Sequence, residues 1–221
     1  MSGRLVVVGT GPGNPDQTTP EALAAIDASH VFFGYGPYLD RLTLRADQRR
    51  VASDNREELA RAKDALHTAA SGEQVCVVSG GDPGVFAMAA AICEAIEAGP
   101  PGWRAVDLAI VPGVTAMSGC WSQAGLPLVQ GDDILSVLPG TLDEVDLSTR
   151  LNNTDGAVIM KVGRNLPKIR RALELAGRLD TAVYVERGTM ANGRSMRLID
   201  KADDVAPYFA IVLVPGWSTR P

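Results

Sequence analysis

The sequence predicts an α/β protein made of two α/β lobes with an active-site cleft between them. Short runs of β-branched residues alternate with alanine-rich stretches of helical periodicity. Glycine-rich segments directly follow several of those runs. With 46% hydrophobic and 21% charged residues, the 221-residue chain has the composition of a globular protein with a sizeable core.

The first half alternates predicted strands and helices. Strands are predicted at residues 5–8, 31–33, 75–78 and 108–111. A helix is predicted at residues 20–28, because proline suits the first helical position. A second is predicted from Asp54, which can cap it while Glu57 reaches back, and a third at residues 85–98. Residues 34–38, which read GYGPY, are predicted to be irregular.

The second half repeats the alternation. Strands are predicted at residues 134–138, 157–160, 182–185 and 209–214, and helices at residues 142–151 and 166–176. The lobes are expected to join near residues 112–130, which gives an N-terminal lobe at 1–114 and a C-terminal lobe at 115–221.

Charge and composition exclude several classes of function. A net charge of −5 argues against general binding to nucleic acid. No apolar stretch approaches the roughly 20 residues of a membrane helix, and a strand-like run near the N-terminus leaves no room for a signal peptide. Three cysteines without a CxxC pair argue against a disulfide framework. We expect a cytoplasmic, reduced protein without a metal site.

Two glycine-rich loops follow predicted strands, GTGPG at residues 9–13 and GGDPG at residues 80–84. In the first, the third glycine comes one residue too early for a dinucleotide-binding loop, and Pro12 removes a backbone donor. A tight turn without a ligand remains an alternative. Two such loops at strand ends favour a ligand cleft. Asp82 either binds a ligand or caps the following helix.

Taken in order, three segments resemble the tetrapyrrole methylase family. They read VGTGPG at residues 8–13, SGGDP at 79–83 and PGVTA at 112–116. Residues 1 to about 114 are similar to the members that methylate carbon 17 of precorrin-3B, notably GYGPYLDR at 34–41 and SDNREEL at 53–59. From about residue 117 the chain is similar to the members that methylate carbon 20 of precorrin-2, notably MKVGRNLPK at 160–168 and YVERGTM at 184–190. The resemblance thus indicates a hybrid of two related enzymes.

The resemblance implies S-adenosylmethionine as cofactor, a polycarboxylate precorrin as substrate, a role in cobalamin biosynthesis and a homodimer. The implied cofactor-binding residues are Pro12, Gly80, Gly81, Asp82, Val85, Phe86, Thr115, Ala116, Met160 and Gly188. On charge and position, the expected substrate-binding residues are Tyr35, Lys161 and Arg187, and we assign no catalytic base. Carbon 17 is favoured over carbon 20. A tetrapyrrole carrier and a dinucleotide-dependent oxidoreductase are the alternatives from other classes.

Overall fold

The computed structural model describes residues 3–203 and 205–216 of the chain. It forms two compact units, Met1–Ala116 and Met117–Pro221. Each unit contains one five-stranded sheet covered by helices, so the predicted α/β class is confirmed. The sequence also predicts that the first lobe carries the substrate trough and part of the cofactor site and the second lobe the remainder of the cofactor site, and this stays a prediction.

The described residues of the first unit form five strands and four α-helices. The strands are β1 (Arg4–Gly9), β2 (Val31–Tyr35), β3 (Arg49–Ser53), β4 (Gln74–Ser79) and β5 (Asp107–Val111). The helices are α1 (Pro20–Asp27), α2 (Gly36–Leu39), α3 (Glu58–Ala70) and α4 (Met88–Ala98). The strand order is β3-β2-β4-β1-β5 and all pairs are parallel. Because the strands are parallel, the loops that follow them all lie along one edge of the sheet.

The central strands of this sheet are buried on both faces. Leu5 and Val7 pack with α3 and α4, whereas Val6 and Val8 pack on the opposite face, where Ala22 of α1 lies. This explains the unbroken apolar run of β1, which is typical of a parallel strand covered on both sides.

The second unit begins with helix α5 (Ala116–Ala124) at the boundary between the units. Its strands are β6 (Leu135–Pro139), β7 (Gly156–Met160), β8 (Val183–Glu186), β9 (Arg194–Arg197) and β10 (Ala210–Val214), and its other helices are α6 (Glu144–Asn152) and α7 (Leu166–Leu175). The order is β6-β7-β10-β8-β9, with β6 and β7 parallel and the other pairs antiparallel. Since β7 and β8 are both antiparallel to β10, the strands β6, β7 and β8 end at the same edge.

The core of the second unit also has two layers. Leu147 of α6 and Ile169 of α7 pack against Ile159 on one face of the sheet. Cys120 and Trp121 of α5 pack against Val158 and Val185 on the other face. The alternation of Val158 and Ile159 between the faces is the period of two that a strand imposes.

Several elements differ from the sequence prediction. The GYGPY segment is not irregular: its first two residues complete β2, and a helical turn, α2, begins at Gly36. Helix α3 begins at Glu58 rather than Asp54, although Glu57 does accept a hydrogen bond from the backbone N–H of Asp54 at 2.9 Å. Helix α4 begins at Met88 rather than Val85, because Phe86 has a left-handed backbone with φ of 51°.

Two strands, β3 and β9, were not predicted. Strands β3 and β9 lie at the outer edges of their sheets and carry two arginines each. Edge strands tolerate such polar sequences, so the apolar pattern that revealed the inner strands is missing. Helix α5 was not predicted. Among the described residues, no helix has the length and apolar character needed to cross a membrane.

Candidate functional site

Three loops meet at the edge where the strands of the first sheet end. The loops after β1 and β4 are joined by a pair of backbone hydrogen bonds between Gly11 and Gly81, at 3.2 and 2.8 Å. Thr10 adds two bonds to the carbonyl of Ser79, from its N–H at 2.9 Å and its hydroxyl at 3.0 Å. The two glycine-rich loops predicted from the sequence therefore form one continuous structure.

The loop after β5 packs directly on these two. A Cβ on Gly9 would lie 2.6 Å from the carbonyl oxygen of Gly81 and 2.7 Å from the nitrogen of Gly113. A Cβ on Gly113 would overlap the same oxygen of Gly81. Gly81 also has a φ of 67°, a left-handed conformation that favours glycine. These glycines are therefore required by close backbone packing.

Asp82 connects the loops through its carboxylate. One oxygen accepts the N–H of Gly84 at 2.8 Å, and the other accepts the N–H of Gly113 at 3.1 Å. The sequence left open whether Asp82 binds a ligand or caps the next helix. The structure places its carboxylate across two loops, and α4 begins six residues later, so Asp82 is not the N-cap of that helix.

The other predicted cofactor residues of the first unit lie along the same three loops. Pro12 is buried, Val85, Thr115 and Ala116 are partly buried, and Phe86 is exposed. Gln17 follows the first loop, and its Oε1 is buried without a hydrogen-bond partner among the described residues. Buried polar atoms are normally paired, so this oxygen is available to a ligand or to water.

Tyr38, in the helical turn that follows β2, lies against the loop that follows β4. A Cβ on Gly80 would overlap the Tyr38 ring, so Gly80 lets this ring lie against the loop. Tyr35 packs edge-to-face on Tyr38, with ring centroids 5.5 Å apart. The Arg41 guanidinium lies 5.5 Å from the centroid of the Tyr38 ring, and burial lowers the pKa of Arg41. Tyr35 and Tyr38 therefore form an aromatic wall beside the glycine loops.

In the second unit, four of the predicted residues lie at one edge of the sheet. Met160 ends β7 and Lys161 follows it, and Arg187 and Gly188 follow β8. Strand β10 separates β7 from β8, which puts the two strand ends about 10 Å apart at the usual strand spacing. Lys161 has a φ of 56° and its carbonyl accepts a 2.8 Å bond from the Asn165 amide.

The segment after β8 is held in a constrained conformation. Arg187 and Thr189 have φ values of 49° and 67°, which are unusual for residues with side chains. Gly188 lies between them against α5, where a Cβ would overlap the sulfur of Cys120. The Oε1 of Gln123, one helical turn later, accepts the N–H of Thr189. Non-glycine residues in this backbone region concentrate at functional sites, and the roles of Lys161, Arg187 and Phe86 stay predictions.

Sequence reasoning missed Glu186, whose side chain is only 6% exposed. Its Oε2 accepts the Tyr184 hydroxyl at 2.7 Å, and its Oε1 accepts the Nε of Arg194 at 2.7 Å. Burial raises the pKa of Glu186, but the bonds from Arg194 and Tyr184 outweigh it and lower the pKa below its usual value. Burial and the bond to Glu186 raise the pKa of Tyr184, so it stays a neutral donor. The only sequence signal was a glutamate in an otherwise apolar strand.

Two of the basic residues that follow β7 make contacts within the fold. Arg170 donates to the carbonyls of Leu198 and Lys201, and Arg171 pairs with Glu144. Among the described residues, no group of three or more His, Cys, Asp or Glu side chains is arranged to hold a metal ion.

Comparison with known proteins gives a consistent result along the chain. Residues 4–203 match the family described as tetrapyrrole (corrin/porphyrin) methylases. A precorrin-2 C(20)-methyltransferase of Sinorhizobium sp. is 46% identical, over 99% of this chain and 98% of that protein. A precorrin-3B C(17)-methyltransferase of Sinorhizobium sp. is 68% identical over 100 residues, in the N-terminal part, covering 45% of this chain and 39% of that protein.

Solved structures share the fold. The methyltransferase CobJ superposes with a TM-score of 0.85 at 33% identity, covering 100% of this chain and 97% of that chain. A uroporphyrin-III C-methyl transferase from Thermus thermophilus, complexed with S-adenyl homocysteine, has a TM-score of 0.72 at 23% identity, covering 96% and 97%. The second likeness concerns the fold alone.

Proposed function

The chain belongs to the tetrapyrrole (corrin/porphyrin) methylase family, and from this membership we propose that it methylates a precorrin with S-adenosylmethionine in cobalamin biosynthesis. The observation that carries the proposal is the edge of the first sheet, where three glycine loops pack backbone on backbone around Asp82. The same loops carry the motifs by which the sequence resembles the family.

The residues present fit this cofactor. Its adenosyl and amino-acid parts offer several hydrogen-bond donors and acceptors, and the loops offer backbone groups at glycines where no side chain blocks an approach. One buried side-chain atom that follows the first loop, Gln17 Oε1, has no hydrogen-bond partner among the described residues and adds an acceptor. When bound, S-adenosylmethionine supplies a methyl group on a sulfonium, already activated for displacement.

The chain's own task is to hold both reactants and to exclude water. We assign the holding of the cofactor to Gly80, Gly81, Thr115, Met160 and Gly188. Asp82 keeps the loops in register through its bonds to Gly84 and Gly113. Neither role requires a proton transfer, and we assign no general base.

Substrate binding is assigned to residues of both units. A precorrin carries many carboxylate side chains, whereas this protein has a net charge of −5, so local positive charge is needed. Lys161 and Arg187 supply it at one edge of the second sheet, and Arg187 is 40% exposed. Tyr35 and Tyr38 offer an aromatic wall to the apolar part of a macrocycle.

We infer mixed descent from the two relatives. The N-terminal identity of 68% to the carbon-17 enzyme is well above the 46% identity to the carbon-20 enzyme over the whole chain. Because the N-terminal unit carries Tyr35, Tyr38 and the residues around β3, we propose carbon 17 of precorrin-3B as the position methylated. Carbon 20 of precorrin-2 is the second candidate, favoured by the similarity along the full length.

Incubation under anaerobic conditions tests the proposal. The purified protein is supplied with S-adenosylmethionine and either precorrin-2 or precorrin-3B, and the product mass is recorded. We expect precorrin-3B to gain one methyl group. A gain with precorrin-2 alone would establish the carbon-20 reaction instead. Binding of both ligands without a gain would mean that the protein is a tetrapyrrole carrier, and no binding of S-adenosylmethionine would contradict the proposed function entirely.

A further inference from the structure

Two arginines converge on one buried carboxylate at the end of β8. The Nε of Arg194 lies 2.7 Å from Glu186 Oε1, and the Nη1 of Arg187 lies 3.6 Å from the same oxygen. Arg194 is directly opposite Glu186 in the pairing of β8 with β9. We call Arg187 and Arg194 the arginine pair.

The carboxylate of Glu186, which positions the arginine pair, is itself held in place by its neighbours. Glu186 is 6% exposed and accepts the hydroxyl of Tyr184, which is fully buried. Behind Tyr184, the ammonium of Lys201 lies 5.2 Å from the ring centroid and bonds to Asp203 at 2.6 Å. A carboxylate this well anchored sets the position of the guanidinium groups that bond to it.

The arginine pair has positive charge and N–H donors that a ligand can use. Two positive charges share one negative charge, so the group carries a net charge of +1. A guanidinium has five N–H donors, and within the described part of the chain the bond to Glu186 uses only Nε of Arg194. The side chains are 40% and 57% exposed, so their remaining donors can be reached from solvent.

We propose that the arginine pair binds a carboxylate side chain of the tetrapyrrole substrate, with Glu186 as its positioning residue. This site rests on the proposed function, since it takes its ligand from the precorrin. Planar guanidinium groups match a carboxylate with two parallel hydrogen bonds, and two of them side by side bind it more tightly than one. The pair adjoins Gly188, to which cofactor binding is assigned, so a carboxylate held there anchors the macrocycle beside the methyl donor.

Substitution of Arg194 tests the site, with Arg197 as a matched control. Arg197 lies on the same strand and is similarly exposed, at 64%, but it pairs with Asp200. Binding of precorrin-3B and of precorrin-2 is measured anaerobically in the presence of S-adenosylhomocysteine, by quenching of tryptophan fluorescence. We expect Arg194→Gln to weaken the binding of the tetrapyrrole about tenfold or more, and Arg197→Gln to leave it unchanged.

A second variant tests positioning by Glu186. Glu186→Gln is expected to raise the KM for the tetrapyrrole about tenfold while kcat and the KM for S-adenosylmethionine stay unchanged. Glu186→Asp, which keeps the charge, should restore part of the loss. A purely structural role would instead impair both KM values together, and that result would overturn the positioning role.

The outcomes separate this site from the proposed function. If the wild-type protein binds S-adenosylhomocysteine but neither precorrin, the proposed function fails and the site fails with it. If the wild-type protein binds a precorrin and Arg194→Gln binds it equally well, the carboxylate site alone is overturned. Arg194 is exposed, so its variant is expected to fold whatever happens to Glu186→Gln.

Discussion

The two five-stranded sheets end in different kinds of edge. In the first unit the edge is built from backbone: Gly9, Gly81 and Gly113 allow three loops to touch, and Asp82 bonds to two of them. In the second unit it is built from side chains on strained backbone, with Lys161, Arg187 and Thr189 at positive φ. From this difference we propose that the first edge binds the cofactor common to the family, and that the second edge, in addition to Met160 and Gly188, contributes positive charge for a particular substrate.

The largest effect is expected from a substitution that disrupts the packing of the first edge. Gly113→Ala places a methyl group on the carbonyl of Gly81, and neither backbone can move without the other. We expect a loss of about 3 kcal/mol in the free energy of unfolding and the loss of S-adenosylhomocysteine binding. Urea denaturation and calorimetry measure the two quantities. Gly102→Ala is the control, because a Cβ there meets nothing within 4 Å; equal behaviour of the two variants would contradict the packing argument.

A smaller effect is expected at Asp82. Asp82→Asn keeps the size but leaves an amide NH2 facing one of two backbone N–H groups, so a bond is lost and a donor is left unpaired. We expect a loss of about 1–3 kcal/mol in the free energy of unfolding. Asp107→Asn, which removes only an exposed pair with Arg4, is the matched variant and should lose less than 1 kcal/mol. Stability that is unchanged in Asp82→Asn would rule out a structural role for this carboxylate.

The loops of the first edge could be predicted from the sequence more fully than those of the second edge. Close backbone packing requires glycine, so the GTGPG, GGDPG and PGVTA segments pointed directly to the loops that meet. The positive φ of Arg187 and Thr189 depends on contacts from α5 that are far away in the chain, such as the bond from Thr189 to Gln123. The inner strands followed from their apolar runs, but β3 and β9 were missed because edge strands are not buried on both faces.

The pH dependence of the free energy of unfolding tests the second edge. The pKa of Glu186 is lowered in the folded protein, so its stabilising contribution is present above about pH 4.5, the ordinary glutamate value, and is lost as the pH falls through the folded pKa. We expect the difference in unfolding free energy between the wild-type protein and Glu186→Gln to shrink as the pH falls below 4.5. Urea denaturation at several pH values measures it. A difference that grows in acid would mean that folding raises the pKa of Glu186 instead of lowering it.

The smallest effect is expected from relieving the backbone strain at Thr189. Thr189 is β-branched and has a φ of 67°, which costs about 1 kcal/mol or more relative to glycine. Thr189→Gly is therefore expected to raise the free energy of unfolding by up to about 1 kcal/mol. Thr149→Gly, inside helix α6, should lower it by about 1 kcal/mol. A destabilised Thr189→Gly would show that side-chain contacts of Thr189 outweigh the strain.

The most direct test of the account locates the transferred methyl group. The protein is incubated with precorrin-3B and S-adenosylmethionine labelled with ¹³C in the methyl group, and the product is analysed by NMR. We predict one label, on carbon 17, because the N-terminal part is 68% identical to a carbon-17 enzyme. If no label enters precorrin-3B, and none enters precorrin-2 under the same conditions, the protein is not a precorrin methyltransferase.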